Sequence, residues 1–435
     1  MLRLRIVTTA VLISLSLSAV LMDRASARTY GEAANVESLI AADVDFREAL
    51  GFEADPALVR DLYAHPERTT GSRDDGLLMT PPEARELQVR MELGEDAATI
   101  DRELSGRADW AGVAIDHLGG GKVALFLTDP NDTPDVPALL HPERLEVRSA
   151  RFTLAQLEAE SDFLSRAMAD REEFMSDVAS VSLDVLRNSV EVAVMKTSEA
   201  ATFRPLGWFG PDAVRVVQTD AMPEPMSLHC DSNAPPVYGG LAWAYRNSST
   251  CSEEWCTVGF EMQRDGYSGT DWVLTAGHCA TTAGQSLYHW NVSFAWWRLT
   301  SSSSVTYQDF GLMEVKTTAG SISKVYWAGA KRQVSGASTS YIVGEVRCQT
   351  GFKTGYSVCG TILSNNSSCS VWTGFVKTTA DVIPGDSGGP VYIKPSGPAY
   401  AVRANGIISC GNGTETWYPK WSNIPSGWGV HISLL

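Results

Sequence analysis

Ser387 lies in the string Gly385-Asp386-Ser387-Gly388-Gly389-Pro390, in which glycines allow the backbone to turn tightly around a hydroxyl. A serine hydroxyl is a weak nucleophile until a base takes its proton, and glycines let successive N–H groups converge on the oxygen that becomes negative in acyl transfer. His278, in Thr275-Ala276-Gly277-His278-Cys279, lies 109 residues earlier and can serve as that base. Asp309, in Gln308-Asp309-Phe310-Gly311-Leu312, stands between them and can fix the tautomer and orientation of the ring. His278, Asp309 and Ser387 are therefore the expected catalytic residues, and the N–H groups of Gly385 and Ser387 the expected oxyanion donors.

Each of these residues also has a structural reading. A lone histidine is more often a satisfied core residue, and Asp309 could cap a turn. Asp265, Asp271 and Glu314 are the other acids nearby. Asp309 is preferred because it precedes an apolar Phe-Gly-Leu-Met run that would enter a buried strand. Asp-Phe-Gly also occurs in kinases, but the chain has neither their glycine-rich phosphate loop nor their His-Arg-Asp element.

The elements that must hold these groups fall in the second half of the 435 residues. From Tyr238 onward the sequence runs in short Gly, Ser, Thr, Val, Trp and Tyr stretches. Thr257–Phe260, Trp272–Leu274, Val391–Ile393 and Ala404–Ile408 each suit a strand. This texture predicts an all-β domain built as a pair of barrels. The first half reads differently. A helical pattern runs from about 35 to 109, and two strand-turn-strand units, Gly112–Phe126 and Val181–Val194, are separated by helix-like sequence from Thr153 to Asp177. They suggest an internal repeat of a small α+β unit, against the alternative of two unrelated hairpins. A proline-rich change of texture near 204–236 marks a boundary.

Charge and cysteine usage change at the same place. Residues 1–230 hold 22 basic and 39 acidic side chains, whereas 231–435 hold 13 and 12, so the acidity behind the net −16 belongs to the first half. The cysteine-bearing second part has no basic stripe, so nucleic-acid binding is not expected of it. All eight cysteines lie from Cys230 to Cys410. Arg3 and Arg5, an apolar run from Val7 to Leu21 and Ala25-Ser26-Ala27 read as a secretory signal over residues 1–27, preferred to a membrane anchor because Ala-x-Ala follows at a sensible distance and no later stretch is apolar enough to span a bilayer. An even cysteine count after an export signal favours disulfides over metal ligation. No cofactor or metal is expected.

These strings resemble the secreted bacterial chymotrypsin-fold serine proteases of the α-lytic protease and streptogrisin branch. The likeness runs from about 237 to 430 and rests on three motifs. They are Cys256-Thr257-Val258-Gly259-Phe260 before the histidine string, Cys348-Gln349-Thr350-Gly351-Phe352 through Cys359-Gly360-Thr361-Ile362, and Pro384–Pro390. The resemblance implies disulfides Cys256–Cys279 and Cys348–Cys359. It also implies a chymotrypsin-like two-barrel protease over 230–435, preceded by an α+β pro-region over 28–229 that assists folding and is removed. Protein or peptide substrates, the chain's own pro-region as partner, a monomeric state and an extracellular location follow as expectations.

Three departures from the branch bear on the site. Gln349 stands where arginine is usual beside the buried aspartate, so Asp386 needs another partner: a lysine, ordered amides or a freed N-terminus near Val237. Asp381 replaces an expected loop cysteine six residues before Ser387, where a pocket-bottom aspartate would favour Arg or Lys in the substrate; an exposed carboxylate with a broad or apolar preference is the alternative. Ser409, Cys410 and Gly411 are expected to wall the substrate pocket, Cys410 standing where an aromatic residue is common. Cys230, Cys251, Cys369 and Cys410 allow three pairings, and the sequence does not choose among them.

Overall fold

The computed structural model describes residues 36–37, 39–70, 78–131, 136, 138–170, 177–196, 212–225, 237–240, 242–244, 255–279, 282–284, 286–287, 297–305, 307–316, 321–327, 330–354, 357–394 and 401–434. The signal call at 1–27, Cys230, Cys251 and most of the 204–236 boundary lie outside them. No helix among the described residues is long and apolar enough to cross a membrane.

Local signals explain the helices of the first half. Helix α1 covers 39–50. Helix α2, Pro56–Ala64, starts where Asp55 accepts a hydrogen bond from the Ala57 N–H, with proline in the first turn, where its missing N–H costs nothing. Helix α3, Pro81–Leu104, opens with a capping box in which the Thr80 N–H donates to Glu83 at 2.9 Å. The next helix, α4, spans Leu154–Ala169 and is capped by Thr153 and Gln156.

Two three-stranded modules follow one plan. Strand β1, Trp110–Asp116, pairs antiparallel with β2, Lys122–Leu127, which pairs parallel with β3, Leu145–Ser149. Strand β4, Val178–Asp184, pairs antiparallel with β5, Ser189–Met195, which pairs parallel with β6, Val214–Thr219. Helix α3 precedes the first module and α4 the second. Strand and helix sequence thus recur in the same order and sense.

The second half forms two large sheets. A six-stranded sheet runs in the order Ser286–Leu287, Trp297–Val305, Gln308–Val315, Trp272–Thr275, Glu261–Arg264, Val430–Ile432. A 14-stranded sheet takes in most of the remaining strands. Residues 258–260, expected to be strand, instead link Trp255–Thr257 to Glu261–Arg264.

The expected pair of closed barrels behind a self-contained α+β unit is therefore corrected. Among the described residues neither sheet closes on itself: Ser286–Leu287 and Val430–Ile432 are the edges of one, and Glu224–Pro225 and Val237–Gly239 end the path of the other. The larger sheet is also mixed, since Ala330–Ala337 pairs parallel with Ala401–Ile407. The N-terminal module is part of it, because β4 pairs with the strand Ser357–Cys369 at Ser182↔Ser367. The Ser182 and Ser367 hydroxyls lie 2.6 Å apart and the Val181 N–H donates to the Ser368 hydroxyl at 2.8 Å. Helical turns also occur at Trp421–Asn423 and Ser426–Trp428, so helix is interspersed and not confined to the N-terminal part. Alternation specifies which face of a strand is apolar, whereas closure and strand neighbours depend on pairings distant in sequence.

Candidate active site

Strand pairing brings the histidine and aspartate together. Trp272–Thr275 lies antiparallel to Gln308–Val315, with Thr275 opposite Gly311, so residues just past the end of the first meet the start of the second. Gly277 sits in the link, where a Cβ would come within 2.6 Å of the Ser303 carbonyl oxygen. The His278 backbone N–H donates to Asp309 Oδ1 at 2.8 Å, and ring Nδ1 lies 2.6 Å from Asp309 Oδ2. Ring Nε2 lies 2.9 Å from Ser387 Oγ. The imidazole thus bridges the other two side chains.

Asp309 is fully buried. Burial alone would raise its pKa, but the His278 charge, the ring and backbone bonds from His278 and the nearby Ser409 hydroxyl outweigh that effect. They hold the carboxyl below its ordinary value. The Ser409 hydroxyl makes no hydrogen bond within normal limits, so the bonds from His278 carry more of this shift. Trp372 packs against the imidazole, ring centroids 5.5 Å apart, and its Nε1–H donates to the Ser304 hydroxyl at 3.2 Å.

The Ser387 loop is held by bonds from distant segments. The Thr257 N–H donates to the Ser387 carbonyl at 2.6 Å and its hydroxyl donates to the Gly385 carbonyl at 2.8 Å. Gly385 and Gly388 have φ of +113° and +86°, a region that favours glycine. At Gly388 a Cβ would also fall 2.2 Å from Thr275 Oγ1. Among the described residues the Gly385 N–H donates to no protein acceptor, which leaves it available to a negative oxygen.

Asp386 is completely buried, and its partners are ordered amides. Its carboxylate accepts from the backbone N–H groups of Lys353 at 2.8 Å, Thr354 at 3.0 Å and Ile383 at 3.1 Å, and from the Thr354 hydroxyl. Gly351 is required by this arrangement, since a Cβ there would lie 1.9 Å from Asp386 Cγ. Gln349 serves a neighbouring segment. Its Nε2 donates to the Thr416 hydroxyl at 2.9 Å and to the Ala380 and Asp381 carbonyls at 3.3 Å each.

Beyond Ser387, its hydroxyl donates to the Ser409 carbonyl at 3.3 Å, which puts the start of the Ser409-Cys410-Gly411 segment beside the nucleophile candidate. Cys256–Cys279 and Cys348–Cys359 are disulfides, and a third joins Cys369 to Cys410, tying the end of Ser357–Cys369 to Cys410–Gly411. The Cys256, His278 and Cys279 ligand atoms cluster, but both sulfurs are committed to a disulfide and offer no thiolate to a metal.

Asp381 is half-buried, not exposed, and its Oδ1 has no hydrogen-bond partner. Burial, with smaller contributions from Asp45 and Asp386, pushes its carboxyl up to about 6. A raised pKa favours the neutral form in the fold. Its stabilisation is complete below the unfolded value of 3.8 and is lost as pH rises through about 6. Asp381→Asn is therefore expected to be more stable than the parent at pH 8 by about 1 kcal/mol, after discounting for partial exposure, and equal to it near pH 3. Thermal unfolding at the two pH values checks this.

The contributions of Thr257, Thr354 and Trp372 escaped sequence reasoning. Thr257 stood inside a motif already quoted, but nothing in a threonine announces bonds to residues 128 and 130 positions away.

No family model matches the chain. It is 26% identical over 183 residues to streptogrisin-A of Streptomyces griseus, covering 41% of this chain and 56% of that protein, little more than half its length. To serine protease 2 of Streptomyces fradiae it is 26% identical over 167 residues, 37% of this chain and 92% of that protein. Among solved structures, Nocardiopsis protease is 26% identical with a TM-score of 0.36, covering 45% of this chain and 97% of its own. Cellulomonas bogoriensis chymotrypsin is 26% identical with a TM-score of 0.36, covering 46% and 99%. By these relatives the chain is serine-protease-like over about two fifths of its length.

Proposed function

We propose that the protein is a secreted serine endopeptidase that works through a covalent acyl-enzyme. The observation that carries this reading is the His278 ring bridging Ser387 Oγ at 2.9 Å and Asp309 Oδ2 at 2.6 Å. With Nδ1–H donated to Asp309, Nε2 is left as an acceptor and takes the Ser387 proton as Oγ attacks the scissile carbonyl. The N–H groups of Gly385 and Ser387 receive the developing oxyanion, each contributing roughly 3 kcal/mol to the transition state. His278 returns the proton to the leaving amine, and water then hydrolyses the ester.

Residues 1–27 direct export, in keeping with three disulfides, and residues 28–229 act as a pro-region that assists folding before removal. The pairing of β4 with Ser357–Cys369 at Ser182↔Ser367 supports this role, because a bound template lowers the cost of assembling a sheet rich in non-local pairings.

The test is covalent labelling with a fluorophosphonate. The processed, folded protein is expected to be modified at Ser387 and to hydrolyse peptides. Absence of labelling overturns the reading in favour of a silent binding protein on the same scaffold. Turnover of esters with no cleavage of any peptide in a diverse mixture overturns it in favour of an esterase.

A further inference from the structure

The His278 ring is held at both ends, with Nδ1 2.6 Å from Asp309 Oδ2 and Nε2 2.9 Å from Ser387 Oγ. One of these restraints disappears during the reaction. Once Ser387 Oγ carries an acyl group it has no proton to donate, yet the ring must still activate the water that attacks the ester. At that stage the imidazole hangs from Asp309 by one end, and a wall beside it has most to contribute.

Trp372 supplies such a wall. Its ring centroid lies 5.5 Å from that of His278, with the planes inclined at 44°. The indole is itself fixed. Its Nε1–H donates to the Ser304 hydroxyl at 3.2 Å, and it stacks on Phe375 with centroids 6.1 Å apart and planes within 10° of parallel. It is buried in a cluster with Cys369, Phe375, Cys410 and Trp417. Cys369 pairs with Trp372 across the two-residue turn Ser370-Val371, in which Ser370 holds φ at +55°, and the Cys369–Cys410 disulfide anchors that end of the hairpin. Ser304 lies on Trp297–Val305 of the six-stranded sheet, so the indole joins that sheet to the larger one beside the reacting groups.

We infer that Trp372 is a positioning residue for deacylation, keeping the His278 ring in place after its bond to Ser387 is lost. The inference rests on the proposed protease activity and deepens it by naming the side chain that sets the lifetime of the acyl-enzyme. In the step concerned, a water oxygen bonds to the acyl carbon and the water proton passes to His278 Nε2. The bond from that carbon to Ser387 Oγ then breaks, and the ring returns the proton to Oγ. Acylation depends less on the indole, because there Ser387 still holds the free end of the ring. A tryptophan that only filled the core would cost stability without favouring one half of the reaction.

The experiment expresses the full chain and follows turnover of an activated ester, for which deacylation is the slow step, by burst and steady-state kinetics. Trp372→Ala is expected to lower kcat and KM together by roughly 10-fold, with kcat/KM within about 2-fold of the parent and the acyl-enzyme accumulating in the burst. Trp372→Phe keeps an aromatic wall and should restore kcat to within about 3-fold of the parent. Ser304→Ala removes only the indole's anchor and should lower kcat and KM in the same joint way. It stands in if Trp372→Ala does not fold. A fall in kcat/KM as large as the fall in kcat, or kinetics unchanged in the variants that fold, overturns the assignment and leaves the protease reading standing. A parent protein that gives neither a burst nor fluorophosphonate labelling of Ser387 defeats the protease reading itself.

Discussion

Asp309→Asn is expected to lower kcat on peptide substrates about 10⁴-fold near neutral pH while leaving the protein folded. Both carboxylate oxygens are in use, Oδ1 accepting from the His278 backbone N–H and Oδ2 facing ring Nδ1. Asparagine offers one oxygen and one NH₂. If its oxygen stays on the backbone N–H, the NH₂ confronts Nδ1 and favours the tautomer with Nδ1 bare and Nε2 protonated, which cannot accept the Ser387 proton. If the amide flips, a buried N–H meets an N–H and the ring loses its support. Steady-state kinetics with a peptide substrate, alongside a circular dichroism spectrum, checks this. A variant that keeps more than a tenth of the wild-type kcat would remove Asp309 from the mechanism.

The second large effect concerns stability. Asp386→Ala is expected to cost about 3–5 kcal/mol and to abolish activity, because three backbone N–H groups and the Thr354 hydroxyl lose their common acceptor in a buried site. Burial raises the Asp386 pKa while these four donors pull against the rise. With the folded value raised, the carboxyl's pH-dependent contribution is complete below the unfolded value of 3.8 and declines as pH rises through the folded one. The deficit of the alanine variant should therefore be larger at pH 3.5 than at pH 8. Denaturant unfolding at both pH values measures it, and an equal or reversed deficit would show that the donors, not burial, dominate this carboxyl.

The two variants separate chemistry from architecture. Asp309 holds the His278 backbone N–H and ring, so its loss is expected to be felt in the reaction. Asp386 ties Lys353–Thr354 and Ile383 to the residue beside Ser387, so its loss releases the loop itself. A probe that labels Ser387 slowly in Asp309→Asn and not at all in Asp386→Ala would express that difference directly.

Much of the candidate site was legible because its residue types are forced by local geometry. Gly385 and Gly388 hold positive φ, Gly277 and Gly351 admit close neighbours, and His278 and Asp309 flank strands that alternation alone suggests. The partner of Asp386 was not legible, since its donors are mostly backbone N–H groups, which every residue but proline carries. The third disulfide was hidden for a related reason: pairing is set by proximity in space, and Cys369 and Cys410 are 41 residues apart.

By itself the sequence determined the types and order of the candidate reacting groups, the strand-rich character of the second half and the acidic, cysteine-free character of the first. Those are local properties, set by side-chain chemistry, spacing and hydrophobic period. Tertiary structure alone decided that the sheets stay open, that β4 joins Ser357–Cys369, that Cys369 meets Cys410, and that Glu224–Pro225 lies along Cys410–Gly411. Each of these is a pairing between segments far apart in the chain. It is selected by which edges and surfaces are left to cover once the local elements have formed.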